Sequence, residues 1–188
     1  MSFRSELEAY EPFNEQELVD KNTILKLLDT GYELYDRNNV AHFTASGWVV
    51  NHNHDSVLMA YHPIYNTWAW LGGHADGDRD LLHVARKEIN EESNLHDMSF
   101  PYDGIFSIEI LPVNAHIRKG LYVPNHLHLN VTYLFEADSA QTENLNQDAR
   151  WIPLDQLDSF SNEKDIIEKV YNKLIDKVQK LDQQRLFV

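Results

Sequence analysis

The pattern of apolar and polar residues predicts four β-strands in the middle of the chain. The first two are residues 42–50 and 56–61, and the turn-forming residues 51–55 predict the connection between them. Residues 104–111 predict a third strand. Residues 126–137 alternate and are rich in valine, tyrosine and phenylalanine, so they predict a longer fourth strand.

Apolar residues at helical spacing predict helices on both sides of these strands. Residues 14–36 are predicted to form one helix or a pair. Asn14 is the expected N-cap, because Glu17 follows it by three positions. Residues 164–181 repeat apolar positions with helical periodicity and predict a C-terminal helix.

A further helix is predicted within residues 72–95, where a glycine loop precedes three glutamates. Glu88, Glu91 and Glu92 have the spacing i, i+3, i+4, which places them on neighbouring turns of one side. At about 100° per residue, Glu88 and Glu92 point into or beside an apolar stripe, and Glu91 lies at its edge. The stripe consists of Leu81, Leu82, Ala85 and Ile89, and the opposite face of His83, Arg86, Lys87, Asn90 and Ser93.

Carboxylates that point toward a core need a partner. Such charges are tolerated when they are paired or bound to metal, and neighbouring carboxylates raise one another's pKa. A divalent cation removes both problems. Magnesium prefers few carboxylates, several waters and substrate phosphates, so we expect Glu88, Glu91 and Glu92 to hold it. The alternative is a solvated acidic face with pairs such as Lys87 with Glu91.

The same block resembles the Nudix box, the signature of hydrolases that act on nucleoside diphosphates linked to a further moiety. The family pattern opens with a glycine, which is Gly73 here. Its Glu-apolar-any-Glu-Glu core corresponds to residues 88–92, and its closing apolar residue corresponds to Leu95.

Three positions depart from the family pattern. Arg79 stands where the first glutamate is expected, Lys87 replaces an arginine, and Asn94 replaces the last glycine. Lys87 keeps the charge but lacks the planar fork of arginine, and Asn94 tolerates the left-handed conformation that a helix end needs. Arg79 is the serious departure. The acidic residues that surround it are Asp76, Asp78 and Asp80.

The resemblance covers roughly residues 40–180. Residues 70–73 look like the strand that enters the Nudix loop, and residues 149–157 look like the closing segment common in the family. The resemblance implies an α/β class fold, a Nudix-like α/β/α sandwich with a mixed sheet. Residues 40–188 would form the Nudix hydrolase domain. Residues 1–39 would form an N-terminal helical extension that either packs on the domain or forms a homodimer contact.

The function that the resemblance implies is a magnesium- or manganese-dependent pyrophosphohydrolase that acts on a small nucleotide-derived substrate. Glu88, Glu91 and Glu92 would bind metal, with Glu88 and Glu91 also catalytic. Glu91 is the first candidate for the general base, and Glu143 and Asp148 are candidates from a later loop.

Two other functions are known alternatives for a chain that resembles this family. A Nudix-fold ligand-binding or regulatory module without hydrolysis stays open because of Arg79 and Lys87. The isopentenyl diphosphate isomerase branch of the fold implies a catalytic cysteine, and this chain has none.

Histidines add a second set of candidate site residues. His126 and His128 are two apart, so on a strand they face one side while Leu127 and Leu129 face the other. Similar Nudix proteins with a Gly-Gly-His-Ala-Asp-Gly-Asp loop tend to carry a Pro-any-His-any-His strand. These histidines either contact phosphate or ribose, ligate a transition metal, or are structural. The residues expected at the substrate are Gly73, His74, Asp76, Lys87, His126 and His128.

Composition narrows the remaining classes. A chain of 188 residues predicts one main core, and no apolar run reaches the length that spans a membrane. The first residues are acidic and lack an apolar signal core, and the absence of cysteine excludes disulfides, so a cytoplasmic location is expected. The net charge of −14 argues against nucleic acid as the main partner.

Overall fold

The computed structural model describes residues 2–63, 66–118, 120–140 and 142–185. Its strands are β1 Ala41–Asn51, β2 Ser56–His62, β3 Thr67–Ala69, β4 Leu71–His74, β5 Ser107–Val113, β6 His116–Arg118, β7 Leu121–Val123, β8 His126–Ala137 and β9 Ala149–Pro153. Its α-helices are α1 Phe3–Ala9, α2 Glu15–Asp29, α3 Leu81–Ser93, α4 Leu157–Phe160, α5 Lys164–Ile166 and α6 Asn172–Arg185. A 3₁₀ turn covers Leu154–Gln156, and a π-helical turn covers Ile167–Tyr171.

Helix α2 begins where the sequence predicts but ends earlier than predicted. The Asn14 side chain accepts the Glu17 backbone N–H at 2.9 Å, which confirms the predicted N-cap. The helix ends at Asp29 instead of continuing to residue 36. Gly31 follows with φ +70°, a left-handed conformation that stops helices and that glycine adopts without strain.

The predicted central strands are confirmed as β1, β2, β5 and β8. Hydrogen bonds connect strands in the order β3–β2–β1–β8–β5, with β4 paired to β1 and β9 paired to β2, so the described residues form a seven-stranded sheet. Strands β6 and β7 form a separate hairpin that the sequence did not predict. The fold is therefore of the α/β class with a mixed sheet, as expected.

The contacts of the chain divide into two compact units. The first runs to Ser46 and continues with Gly72–Glu88 and Tyr102–Tyr133; the second contains Gly47–Leu71, Ile89–Pro101 and the chain from Leu134 onward. The N-terminal helices belong to the first unit. Strands β1 and β8 and helix α3 contribute residues to each unit. Among the described helices, none has the length and apolar character needed to cross a bilayer.

A row of polar side chains runs through the interior of the first unit. Alternate residues of β1 and β8 supply it, since side chains two apart share one face of a strand. The Asn130 amide oxygen accepts the hydroxyls of Thr44 at 3.0 Å and Ser46 at 2.9 Å. We call this the polar row; its members are His42, Thr44 and Ser46 on β1 and His128, Asn130 and Thr132 on β8.

Aromatic residues fill the core of the second unit. The rings of Trp48 and Tyr171 lie 5.4 Å apart between centroids, and those of Trp70 and Tyr171 lie 5.6 Å apart. The Tyr171 hydroxyl accepts the Trp70 backbone N–H at 3.2 Å, so this buried phenol is satisfied. Ile89 of α3 packs directly on Gly47, where a Cβ would overlap its side chain.

Candidate functional site

The glycine loop and helix α3 meet at Gly73 and Glu88. The Glu88 carboxylate lies against the Gly73 backbone so closely that a Cβ at Gly73 would be within 2.6 Å of both carboxylate oxygens. Real Cβ atoms essentially never make such contacts. The role of glycine here is to let the backbone approach the carboxylate, rather than to adopt an unusual φ, and an added Cβ would displace the end of the flexible Glu88 side chain.

Helix α3 places its glutamates on the side that the sequence predicts. Ala85 and Ile89 are fully buried, Glu88 and Glu92 beside them are half-buried, and Glu91 is exposed. The prediction for Ser93 was wrong, because this residue is buried and not on the outer face. Its hydroxyl donates to the Ile89 carbonyl at 2.6 Å, which satisfies it inside the core.

The C-terminal end of α3 is held by residues of a later loop. Asn94 has φ +58°, the left-handed conformation expected at this position. The Asn146 side chain donates to the carbonyls of Glu91 at 3.0 Å and Glu92 at 2.9 Å, which would otherwise lack helical partners. Glu143, a candidate base, is exposed in the same loop.

Asp148, the other loop candidate, is also exposed. Its backbone carbonyl accepts the Tyr61 N–H at 2.7 Å, which fixes the chain just before β9. The structure therefore gives this residue a defined backbone position beside β2.

Two of the departures from the Nudix pattern, Arg79 and Lys87, have exposed side chains. Arg79 pairs with Glu33 at 3.1 Å, and its guanidinium lies 4.8 Å above the Tyr35 ring. Lys87 is exposed on the outer side of α3.

The three aspartates around Arg79 have other partners. Asp76, at φ +50°, forms a two-point ion pair with Arg37, and hydrogen bonding to this arginine lowers the pKa of the Asp76 carboxyl. The Asp80 carboxylate accepts the His83 backbone N–H at 2.9 Å at the start of α3. The Asp78 carboxylate lies 2.7 Å from the His83 ring.

An open depression of about 460 Å³ lies over this loop. Charged side chains dominate its wall, and it includes both ion pairs just described. Its lining includes Glu33, Tyr35, Arg37, Asp76, Gly77 and Arg79.

Four histidines gather at one end of the polar row, and we call them the histidine cluster: His42, His74, His126 and His128. The His42 ring lies 5.1–5.2 Å, between centroids, from each of the other three. His74 and His128 are 4.9 Å apart. The structure thus brings together the loop histidine and the strand pair that the sequence linked.

Hydrogen bonds to backbone carbonyls orient two of these rings. Nδ1 of His42 lies 2.8 Å from the Asn39 carbonyl, and Nδ1 of His126 lies 2.8 Å from the Pro124 carbonyl. A carbonyl only accepts, so each Nδ1 carries a proton, and Nε2 of the neutral His42 ring keeps its lone pair. Nε2 of His126 is 3.2 Å from Nε2 of His128.

Burial favours the uncharged form of His42, His74 and His128. It lowers the pKa of His128 to about 3 and of His74 to about 4, and nearby positive or imidazole groups lower both further. The pKa of His42 is also lowered, mainly by burial. Neutral imidazole is the form that offers a lone pair to a metal or a donor.

Three of these histidines also satisfy a geometric criterion for metal binding. Each of His42, His74 and His128 offers one donor atom, and these atoms lie within 4.8 Å of one another. Among the described residues, the glutamates of α3 do not form such a converging group.

His42 is the member of this group that the sequence did not identify. It lies at the start of β1 in a segment that otherwise predicts an ordinary buried strand. The available signal was the spacing of His42, Thr44 and Ser46, which are two residues apart and put a polar group at every second position of an apolar strand. Leu127 and Leu129, which were expected to form the apolar face of β8 opposite His126 and His128, differ in burial. Leu129 is fully buried, but Leu127 is 38% exposed.

Comparison with known proteins gives matches among solved structures. No protein-family model matches the chain, and no curated protein matches it. The structure is similar to an Ap4A hydrolase of C. elegans, with a TM-score of 0.53 and 16% identity over 74% of this chain and 96% of that one. It is also similar to the E. coli dihydroneopterin triphosphate pyrophosphohydrolase, with a TM-score of 0.50 and 12% identity over 74% of this chain and 99% of that one.

At identities this low, structural similarity shows a shared fold and not a shared activity. The fold of these similar structures nevertheless agrees with the resemblance of residues 72–95, where the glycine loop and the three glutamates of α3 follow the Nudix box. The chain has the Nudix fold.

Proposed function

We propose that this protein is a divalent-metal-dependent hydrolase that cuts the diphosphate bridge of a nucleoside diphosphate derivative. The observation that carries the proposal is the contact between Glu88 and Gly73. It holds a carboxylate against the backbone of the glycine loop, on a helix that also carries Glu91 and Glu92.

The donor set of α3 fits magnesium or manganese. Carboxylate oxygens are hard ligands, and magnesium usually takes one or two of them together with waters and substrate phosphates. A loose group of glutamates therefore suits this ion better than a closed cage would. Glu88, Glu91 and Glu92 would hold it. When bound, the cation would neutralise the diphosphate and lower the pKa of a water molecule.

The protein's own groups would position the substrate and accept a proton. In the proposed reaction, water attacks phosphorus and the bridging oxygen leaves with the other phosphate. Glu91, which is exposed and whose backbone is fixed by Asn146, is our first candidate to take the proton of the attacking water. Glu143 and Asp148 remain candidates for the same role. Gly73, His74, Asp76, Lys87, His126 and His128 are proposed substrate contacts.

The two similar structures support a nucleotide-like substrate class. One is named for a dinucleoside polyphosphate and the other for a pterin triphosphate. The feature that those substrates share is a phosphoric anhydride bond. We accordingly propose this bond as the point of cleavage and leave the organic group to be found by a screen. The proposed setting is cytoplasmic, with a homodimer as the proposed assembly and with neither nucleic acid nor membrane as a partner.

The direct test is a turnover screen of dinucleoside polyphosphates, nucleotide sugars, ADP-ribose and nucleoside triphosphates with magnesium or manganese. Release of phosphate or mononucleotide is the readout. Glu92→Gln should abolish metal-dependent turnover while the protein still folds, because the charge is lost but the volume is kept. Glu168→Gln, on an exposed residue of the π-helical turn, is the matched control. Near-wild-type turnover by Glu92→Gln at saturating magnesium would contradict the metal site.

A second candidate function is ligand binding without hydrolysis, and one observation favours it. Arg79 occupies the position of the first box glutamate and is engaged with Glu33 and Tyr35, so no carboxylate is present there. Calorimetry on the same compounds separates the two functions. A regulatory module would bind one of them with no product formed in the presence of any divalent metal.

A further inference from the structure

We infer that His42, His74 and His128 form a second metal site, which takes a divalent transition metal of the zinc type through imidazole nitrogen. This site is chemically different from the carboxylates of α3. It does not depend on the hydrolase function proposed above.

The first support is convergence. The three residues come from the start of β1, the end of β4 and the start of β8, and they are far apart in sequence. Their donor atoms nevertheless lie within 4.8 Å of one another. In a tetrahedral zinc site the Zn–N bonds are about 2.0–2.1 Å, so small rotations of the rings would bring all three nitrogens to one ion.

The second support is an orphaned nitrogen. His42 is 1% exposed, and within the described chain Nε2 has no hydrogen-bond partner. Nδ1 is used by the Asn39 carbonyl at 2.8 Å, so the lone pair of Nε2 is the one that remains for a ligand. A buried polar atom without a partner costs free energy of about 1–3 kcal/mol, and a metal bond would remove that penalty.

The third support is the way the rings are held. Metal-binding histidines almost always donate their other ring N–H to a carbonyl, a carboxylate or water. His42 has this arrangement with Asn39. His126, which has the same arrangement with Pro124, lies with its Nε2 3.2 Å from Nε2 of His128 and positions that ring.

The donor chemistry indicates which metal the site takes. Three neutral imidazoles suit zinc, and also iron, nickel or copper, but not magnesium, which prefers oxygen. Three protein nitrogens also leave at least one coordination position open, as in catalytic zinc sites. The open position would take water or an oxygen of a bound molecule.

The test is zinc binding to the untagged 188-residue chain, measured by calorimetry and by metal analysis after dialysis. Wild type should bind zinc through this site. His74→Gln should weaken the affinity at least about 100-fold, since even loss of an orienting group costs 10–100-fold. His42→Gln and His128→Gln should do the same, and circular dichroism should confirm their fold. His96→Gln, on an exposed histidine in the second unit, is the matched control and should bind as wild type does.

X-ray absorption of the zinc-loaded protein supplies a readout that does not depend on activity. It should show imidazole nitrogens at about 2.0–2.1 Å. Glu92→Gln should bind zinc with unchanged affinity, so a failed hydrolase assay leaves this inference standing. Absence of zinc binding by wild type, or zinc binding of equal affinity by a folded His74→Gln variant, would overturn it.

Discussion

The glutamates of α3 and the histidine cluster differ in their donor atoms, in burial and in how each is assembled. Glu88, Glu91 and Glu92 are half-buried or exposed, and all three belong to one helix. The histidines come from three strands, burial lowers the pKa of His42, His74 and His128, and backbone carbonyls orient His42 and His126. The difference teaches that one Nudix fold can present a loose set of hard oxygen donors and a pre-formed set of nitrogen donors. Each set suits a different class of ion.

The largest effect is expected from Gly73→Ala, which acts on the glutamate side of the comparison. The added methyl group would overlap the Glu88 carboxylate and force it to move. Misplacement by about 1 Å can reduce a rate by about 100-fold, so we expect a loss of that size in kcat/KM.

A second substitution tests whether the same overlap lowers the melting temperature. Gly73→Ala combined with Glu88→Asp should regain the melting temperature of wild type, because the shorter side chain makes room for the methyl group. A fully active Gly73→Ala variant would mean that this close contact is not needed for function.

A smaller effect is expected at His54. Its pKa is raised, whereas the pKa values of the buried histidines in the cluster are lowered. Burial opposes its charge, but hydrogen bonds to Asp182 at 2.8 Å and Glu136 at 2.9 Å prevail and raise its pKa. Burial by itself would raise the pKa of Glu136, but hydrogen bonds to His54 and His52 outweigh burial and lower this pKa.

The sign of the pH dependence follows from these two shifts. A raised histidine pKa stabilises the fold fully below the ordinary value of 6.5, and this stabilisation is lost as the pH rises through the raised pKa. A lowered carboxyl pKa stabilises the fold above its ordinary value of 4.5, and this is lost in acid. The contribution should therefore be largest between about pH 4.5 and 6.5.

His54→Asn tests this window. Asparagine tolerates the φ of +55° found at this position, so the backbone is not strained by the change. We expect a loss of about 1 kcal/mol at pH 5.5 that shrinks as the pH rises above 7, measured by urea unfolding. A loss that grows with pH would mean that His54 is not a charged partner of these acids.

The smallest effect is expected from Arg79→Gln. The pair with Glu33 is exposed, with 71% of the Arg79 side chain accessible, and exposed pairs contribute less than about 1 kcal/mol. Melting temperature and turnover should both stay close to wild type. A large rise in turnover would instead identify Arg79 as a residue that slows hydrolysis.

The features of the fold and of the candidate site that could be predicted from the sequence are those that depend on neighbouring residues. The three glutamates, the N-cap at Asn14 and the left-handed Asn94 depend on neighbouring residues, and the structure agrees with each. The central strands are likewise local patterns and were predicted within a few residues.

The features that sequence reasoning missed depend on distant pairings. His42 joins His74 and His128 only because β1 and β4 are paired and β1 is next to β8, which no local pattern reveals. Ser93 was placed on the wrong face because a serine that bonds to its own helix can be buried. The hairpin of β6 and β7 is formed by three-residue strands, which are too short for a periodic signal.

The central claim, that two donor sets bind different metals, is tested most directly by a crossed thermal titration. Wild type, Glu92→Gln and His74→Gln are melted with magnesium and, separately, with zinc at a hundredfold excess over each dissociation constant of wild type. Binding at that excess adds roughly 2.7 kcal/mol, a rise of roughly 5–10 °C. We predict that Glu92→Gln loses the magnesium shift and keeps the zinc shift, and that His74→Gln does the reverse. Loss of both shifts in either variant, or retention of both in the two variants, would contradict the account.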